Sequence, residues 1–228
     1  MIEEALSNLR LINDLEVLIP IALLAVILVA ISKSGFGGAL GSLGLPVMVL
    51  VFPPKLAIAI LLPLYLITDV FVAFTWRKFP VFKILKLMVL GGLIGQILGW
   101  LCFEYLDDSY ILILIGLLAL TTSIRYFKDI FIKDYFVKKT KKILELSYTR
   151  AIGWCGFSGF SSFVALTGGI PAQIFLLPLG LERQLFVGTM SFYFLIINLA
   201  KLPFFFNLEV FSQTSILFSF IVLPILPL

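Results

Sequence analysis

Apolar runs separated by short polar turns follow one another along the chain, a pattern typical of a bundle of membrane helices. The runs cover residues 17–31, 46–52, 56–76, 84–103 and 110–124 in the first half, and 151–166, 174–179, 185–206 and 210–228 in the second. A helix needs about 20 residues to cross a bilayer, so several runs are too short to cross alone. We therefore predict an all-α polytopic membrane protein. One long run carries glycines spaced for close contact with another helix: Gly91, Gly92, Gly95 and Gly99.

Two glycine-rich breaks interrupt the apolar sequence, at residues 33–46 and 161–173. Glycine and proline disfavour a continuous helix, because glycine loses more backbone entropy on folding and proline lacks an N–H donor. Backbone groups released by such a break cannot bond water in the hydrocarbon region, so a break persists only where protein or an aqueous cavity covers it. Each break therefore predicts a half-helix hairpin and a candidate binding site.

The order of these features repeats along the chain. The Gly-Leu-Pro at 44–46 matches the Gly-Ile-Pro at 169–171 at an offset of 125 residues, and Asp69 falls opposite Asn198 at an offset of 129. Each copy combines a broken half-helix hairpin with transmembrane helices.

The repeat divides the chain into a first copy at 1–127, which includes an acidic segment at 1–16, a basic linker at 128–150, and a second copy at 151–228. The second copy has no counterpart of the last span of the first. We expect either that the final helix is absent in nature or that the sequence is truncated.

Composition and charge support a membrane protein and set its predicted topology. The chain is 61% hydrophobic and 13% charged, against about 25% charged residues in soluble domains. Basic residues concentrate at 77–86 and 125–150, whereas the turn at 104–108 is acidic. The positive-inside rule places the first two segments in the cytoplasm and the third outside. Alternation of the spans then predicts an outside N-terminus and inverted-topology repeats, the architecture of many secondary transporters.

The breaks supply the first group of candidate site residues. A half-helix begins with unpaired N–H groups and the positive end of the helix dipole, which both favour an anion. Glycine lets an oxyanion approach the backbone, and hydroxyl or amide groups add donors; these candidates are Ser34, Gly37, Gly38, Ser42, Ser161, Ser162, Thr167, Gly168, Gly169 and Gln173. The alternative is that the glycines serve helix packing alone. Alanine at Gly168 or Gly169 would then lower stability, whereas at a binding site it would weaken anion affinity.

Polar residues inside or beside the apolar runs form the second group. Asn198 and Lys201 interrupt 185–206, Lys33 precedes the first break, and Asp69 lies within 56–76. A lysine in an apolar span costs roughly 2.5–3.5 kcal/mol on insertion scales. The two lysines would either fix a positive charge beside an anion path or extend to the membrane surface. Asp69 would either form a structural pair or take up a proton as a coupling group.

Other classes of chemistry lack the residues they need. The Gly-Phe-Ser-Gly at 156–159 fits the sequence around the nucleophile of rhomboid-type intramembrane proteases, but the chain has no histidine to act as its base. Zinc and haem ligand sets fail for the same reason. We expect no enzyme activity, no cofactor, no metal and no nucleic-acid partner.

A recognisable arrangement surrounds the second break: GFSSFVALTGGIP at 159–171, LLPL at 176–179, FVGT at 186–189 and NLAKLP at 198–203. Together with the first break, these sequences resemble the sulfite exporter TauE/SafE family of membrane transporters. The resemblance implies movement of a small sulfur-containing or organic anion, such as sulfite, thiosulfate or a sulfonate, across the bacterial inner membrane. Many members carry a histidine where this chain has Leu166, so a role of that histidine in substrate choice would imply another anion preference.

The sequence thus predicts a multi-pass secondary transporter whose midplane site lies between two half-hairpins. Lys33 and Lys201 would supply charge, and the glycine backbones would supply oxyanion contacts. The alternative is a non-transporting membrane subunit, an assembly partner of a redox or sulfur-metabolism system. The bilayer and a small anion are the expected partners. Which anion is moved, the direction of transport, the coupling ion and homo-oligomer formation stay undetermined.

Overall fold

The computed structural model describes residues 15–35, 43–103, 105–131, 145–208, 211 and 219. All elements in these ranges are helical. In chain order they are α1 (Leu15–Gly35), α2 (Gly44–Met48), α3 (Pro54–Thr75), α4 (Phe82–Phe103), α5 (Asp108–Phe131), α6 (Tyr148–Ala165), α7 (Gly169–Leu176), a 3-10 turn (Leu177–Leu179) and α8 (Arg183–Asn207).

Full-length and half-length apolar helices are both present. Among the described helices, α3, α4 and α8 are long and apolar enough to cross a membrane. Shorter apolar stretches lie in α1 at Pro20–Ile31, in α5 at Asp108–Thr121, and in α7 with its 3-10 turn. The predicted all-α membrane architecture is confirmed, and the inverted relation of the two copies stays a prediction.

Two helices extend beyond the apolar runs that predicted them. Helix α1 continues through Lys33 to Gly35, and α5 continues to Phe131, into the segment read from the sequence as polar linker. Lysine and arginine are good helix formers, so polarity alone does not end a helix. Residues 132–144 and most of the last apolar run, 210–228, lie outside the described residues.

Helices α4 and α6 pack with their backbones in direct contact. A Cβ atom added at Gly95 of α4 would overlap the carbonyl oxygen of Gly156, and one added at Gly159 of α6 would overlap that of Gly92. Small residues allow helices in a membrane to gain packing contacts at short interaxial distances. We call these four residues the glycine seam. It confirms the close contact predicted from the glycine spacing in α4.

Aromatic side chains join the end of α6 to α8. The rings of Phe163 and Phe205 meet edge to face with centroids 4.9 Å apart, and Phe103 of α4 stacks on Phe205 at 5.8 Å. All three side chains are buried. The seam holds α6 against α4, and the aromatic cluster joins the end of α6 to α4 and α8, so both hold the residues that follow α6.

Candidate functional site

The second break is real and is covered by protein. Helix α6 ends at Ala165, Leu166 adopts left-handed backbone angles (φ 51°, ψ 22°), and α7 begins at Gly169. A left-handed leucine costs roughly 1–2 kcal/mol, so the turn is strained. The N–H groups of Leu166 and Thr167 donate to carbonyl oxygens of α6 at 3.1 and 3.3 Å. Leu166 is 4% exposed, which confirms the prediction that such a break would be buried.

A chain of hydroxyl groups clamps the break to α6 and α8. The Tyr193 hydroxyl donates to Ser158 Oγ at 2.9 Å, and Ser158 Oγ donates to the Gly168 carbonyl oxygen at 2.6 Å. Thr167 Oγ1 donates to the Ser161 carbonyl oxygen at 3.3 Å. These side chains are all buried. The hydroxyl of Thr167, a predicted substrate donor, is therefore engaged with the backbone of α6.

Space, and not backbone conformation, explains the glycine at 168. Gly168 has φ −64°, which any residue can adopt. A Cβ atom there would lie 2.6 Å from both the Ser158 carbonyl oxygen and Ser162 Cβ. At Gly168 the packing explanation therefore applies, and Gly168→Ala would disturb the contact between α6 and α7 with or without an anion.

The start of α7 offers backbone donors. The first bond of its first turn runs from Ala172 N–H to the Gly168 carbonyl oxygen at 3.3 Å. Pro171 has no N–H, and within the described part of the chain the N–H groups of Gly169 and Ile170 meet no acceptor. This matches the predicted half-helix start, where unpaired donors and the helix dipole favour an anion. Gln173 is half-buried in the same short helix.

A second set of buried polar groups lies beside the break. Lys201 Nζ donates to Ser162 Oγ and to Asn198 Oδ1, both at 2.8 Å, and Asn198 Nδ2 donates to Asp69 Oδ2 at 2.5 Å. We call Asp69, Ser162, Asn198 and Lys201 the polar junction. It connects α3, α6 and α8 in the interior, since all four side chains are buried.

The junction decides between the two predictions for Lys201. Its side chain is 0% exposed and turns inward, so the proposal that it extends to the membrane surface is wrong. A charge buried in protein is retained only when neighbouring polar groups compensate its lost hydration. Ser162 provides one such group and also packs on Gly168, which brings the break and the buried cation together.

The first break is placed only in part. Lys33 and Ser34 lie in the last turn of α1, where the structure describes the backbone and not the side chains. Gly37 and Gly38 lie outside the described residues. Their roles in the site stay predictions. The structure therefore gathers the second-break residues around Ser162, together with the three intramembrane polar residues of α3 and α8.

Two residues of this region were missed by sequence reasoning. The Tyr193 hydroxyl donates a hydrogen bond to Ser158 Oγ. Gln96 of α4 is fully buried, and its Nε2 donates to the Ile197 carbonyl oxygen at 2.7 Å. Gln96 carried a usable signal, because an amide in the middle of an apolar span is as costly as Asn198. Tyr193 carried none, since an aromatic residue in an apolar run is ordinary.

Metal and disulfide chemistry find no support in the described residues. They contain no group of three or more His, Cys, Asp or Glu side chains that could hold a metal ion. Cys102 and Cys155 are free thiols, the first exposed and the second buried. The site is thus built from an ammonium group, a carboxylate, amides, hydroxyls and backbone N–H groups.

One comparison with known proteins is positive. The family model described as Sulfite exporter TauE/SafE matches residues 22–228. No curated protein and no solved structure matches the chain. The matched region includes both glycine breaks, the glycine seam and the whole polar junction.

Proposed function

The chain belongs to the sulfite exporter TauE/SafE family, and from that membership we propose that it is a secondary transporter of a small anion. The substrate is of the sulfite, thiosulfate or sulfonate type, and the membrane is the bacterial inner membrane. The observation that carries the proposal is Lys201, a cation in the protein interior beside a backbone break. A structural lysine at this depth has no need of a break with unpaired N–H groups next to it.

Lys201 would supply the charge that an anion needs after it leaves water. An oxyanion entering a low-dielectric interior loses its hydration and requires donors in return. The ammonium group is held by Ser162 and Asn198, so it is aimed before substrate arrives. The Ser162 hydroxyl can turn its own hydrogen towards the anion, and Gly169 and Ile170 can add backbone N–H groups.

Asp69 is the proposed coupling group. Its hydrogen bond to Asn198 joins the first copy of the repeat to the second, and Asn198 in turn holds Lys201. Proton uptake on the carboxylate would weaken that bond and change the field at the ammonium group. Asp69 and Asn198 are also the residues that the repeat alignment pairs, and matched residues meet when they lie near a pseudo-two-fold axis. The contact supports the inverted repeat.

A flux panel tests the proposal. The purified chain in proteoliposomes should take up or release at least one of sulfite, thiosulfate, taurine, sulfate or simple carboxylates, with protein-free liposomes as the control. The alternative, a non-transporting subunit, predicts no flux for any of them and copurification with a partner protein. Flux without a partner would contradict the alternative, and its absence across the panel would contradict the transporter.

The proposed topology has its own test. A cysteine introduced by Lys139→Cys, in a chain with Cys102→Ser, should escape a membrane-impermeant thiol reagent added outside intact cells. The matched control is Tyr105→Cys in the same background, because Tyr105 is 84% exposed in the turn predicted to face outside. Labelling at 139 without labelling at 105 would reverse the orientation.

A further inference from the structure

Gln96 has one half of its amide without a partner. The side chain is 0% exposed in the middle of α4, a helix long enough to cross the membrane. Nε2 donates to the Ile197 carbonyl oxygen at 2.7 Å. Within the described part of the chain, no donor reaches Oε1. A buried acceptor left unpaired costs free energy, so its retention calls for an explanation.

The orientation of the amide is fixed by its neighbour. A carbonyl oxygen accepts and cannot donate, so the group facing Ile197 must be the NH₂ of Gln96. Rotating the amide would place two acceptors against each other and would lose the 2.7 Å bond. Oε1 therefore points away from the Ile197 carbonyl oxygen and is available to a donor that the described part of the chain does not supply.

Gln96 lies between the two polar clusters of the site. One turn before it, a Cβ atom at Gly92 would lie 2.9 Å from the Tyr193 hydroxyl, which bonds Ser158. On α8, Ile197 precedes Lys201 by one turn, and Lys201 bonds Ser162. The amide thus lies between the hydroxyl groups of Tyr193 and Ser158 on one side and the ammonium group of Lys201 on the other.

We propose that Gln96 selects the substrate by accepting a hydrogen bond at Oε1, so that the preferred anion carries its own O–H donor, as hydrogensulfite does. This rests on the proposed transport function and names the substrate class. Lys201 and the α7 backbone bind the negative oxygens, and Gln96 binds the protonated one. An anion without a donor leaves Oε1 unpaired, which is how a site built to hydrogen-bond a hydroxyl group rejects analogues that lack it.

The experiment compares two pyramidal oxyanions of equal charge, one with an O–H proton and one without. Hydrogensulfite carries it and chlorate does not. The rise in melting temperature of the detergent-solubilised chain is measured against each anion, at one mildly acidic pH where hydrogensulfite is the main sulfite species. Ligand stabilisation reports affinity through its concentration dependence. Wild-type protein should bind hydrogensulfite about tenfold or more tightly than chlorate.

Two variants assign that preference to Oε1. Gln96→Met keeps the length of the side chain but has no oxygen acceptor, and it should lower the preference to about twofold or less, chiefly by weakening hydrogensulfite binding. Gln96→Glu, neutral when buried, keeps an acceptor while its O–H donates to Ile197, and should retain the preference. Loss of folding alone would change both anions alike and leave their ratio unchanged.

The outcomes distinguish the role proposed for Gln96 from the proposed transport of a small anion. Equal binding of the two anions by wild-type protein would overturn the role of Gln96 and leave the anion transporter standing. A preference unchanged in Gln96→Met would do the same. No stabilisation by either anion, together with no flux in the panel above, would contradict both proposals.

Discussion

The glycine seam and the polar junction hold α6 by opposite means. At the seam, Gly95 and Gly159 allow backbone to meet backbone, and no side chain takes part. At the junction, Ser162 of the same helix bonds the ammonium of Lys201, and the contact is made only by polar side chains. The two lie within one turn of each other along α6.

The contrast separates scaffold from site. Packing at a glycine seam is a single arrangement, because any shift opens a gap or creates a clash. A buried network of ammonium, carboxylate and amide groups lies in a low local dielectric, where an added proton or anion changes its electrostatic energy strongly. We therefore expect seam variants to fail in folding and junction variants to fail in transport.

The largest effect is expected at the seam. Gly159→Ala would place a methyl group on the Gly92 carbonyl, and should cost about 3 kcal/mol or more in stability, seen as a lower melting temperature and poor yield. Gly153→Ala is the matched control on the same helix, because a Cβ atom there meets nothing within 4 Å. It should be neutral or stabilising by up to about 1 kcal/mol. Equal behaviour of the two variants would contradict the seam.

Lys201→Met comes next and should act on binding. It removes the ammonium group, whose charge-assisted hydrogen bonds to the bound anion would be worth roughly 1.5–3 kcal/mol each, so anion affinity should fall about 100-fold or more. Lys86→Met makes the same change at an exposed position of α4 and should leave affinity within about twofold. Anion-dependent stabilisation is measured on both. Normal stabilisation of the Lys201 variant by the anion would show that the polar junction has a structural role and does not bind the anion.

Asp69→Asn should separate coupling from binding. The amide can still accept from Asn198 but cannot take up a proton, so flux driven by a pH gradient should be abolished while counterflow exchange continues. Both assays use the same proteoliposome preparation. A purely structural Asp69 would lower both rates together with protein yield. An unchanged pH response in a well-expressed variant would remove Asp69 from the mechanism.

The smallest effect is expected for Ser162→Ala. It removes one hydrogen bond to the ammonium group, and affinity should fall about tenfold. The neighbouring variant Ser161→Ala is its control, because within the described residues Ser161 Oγ donates to the Ser158 carbonyl oxygen of its own helix, at 3.3 Å, and not to Lys201. That substitution should change affinity by about twofold or less. The comparison is made by anion-dependent stabilisation, and equal losses would point to helix packing as the cause.

The sequence alone determined the helices and the broken segment. Hydrophobicity along the chain is a local property, and in lipid every backbone group must bond within its own helix, so apolar runs and the Thr167-Gly168-Gly169 break could be read directly. The cost of polar groups in an apolar span likewise marked Asp69, Asn198 and Lys201. These are the residues that the structure brings together with Ser162.

Only the tertiary structure decided which contacts those residues make. Whether Lys201 reaches the surface or turns inward depends on which face of α8 meets α3 and α6, and helical periodicity in a nearly uniform apolar run does not show that face. Gly168 stays a predicted anion contact, and only the structure shows that it also packs on Ser158, because crowding by a neighbouring helix leaves no trace in local sequence. The repeat alignment paired Asp69 with Asn198, and the packing of α3 on α8 is what brings the two side chains into contact.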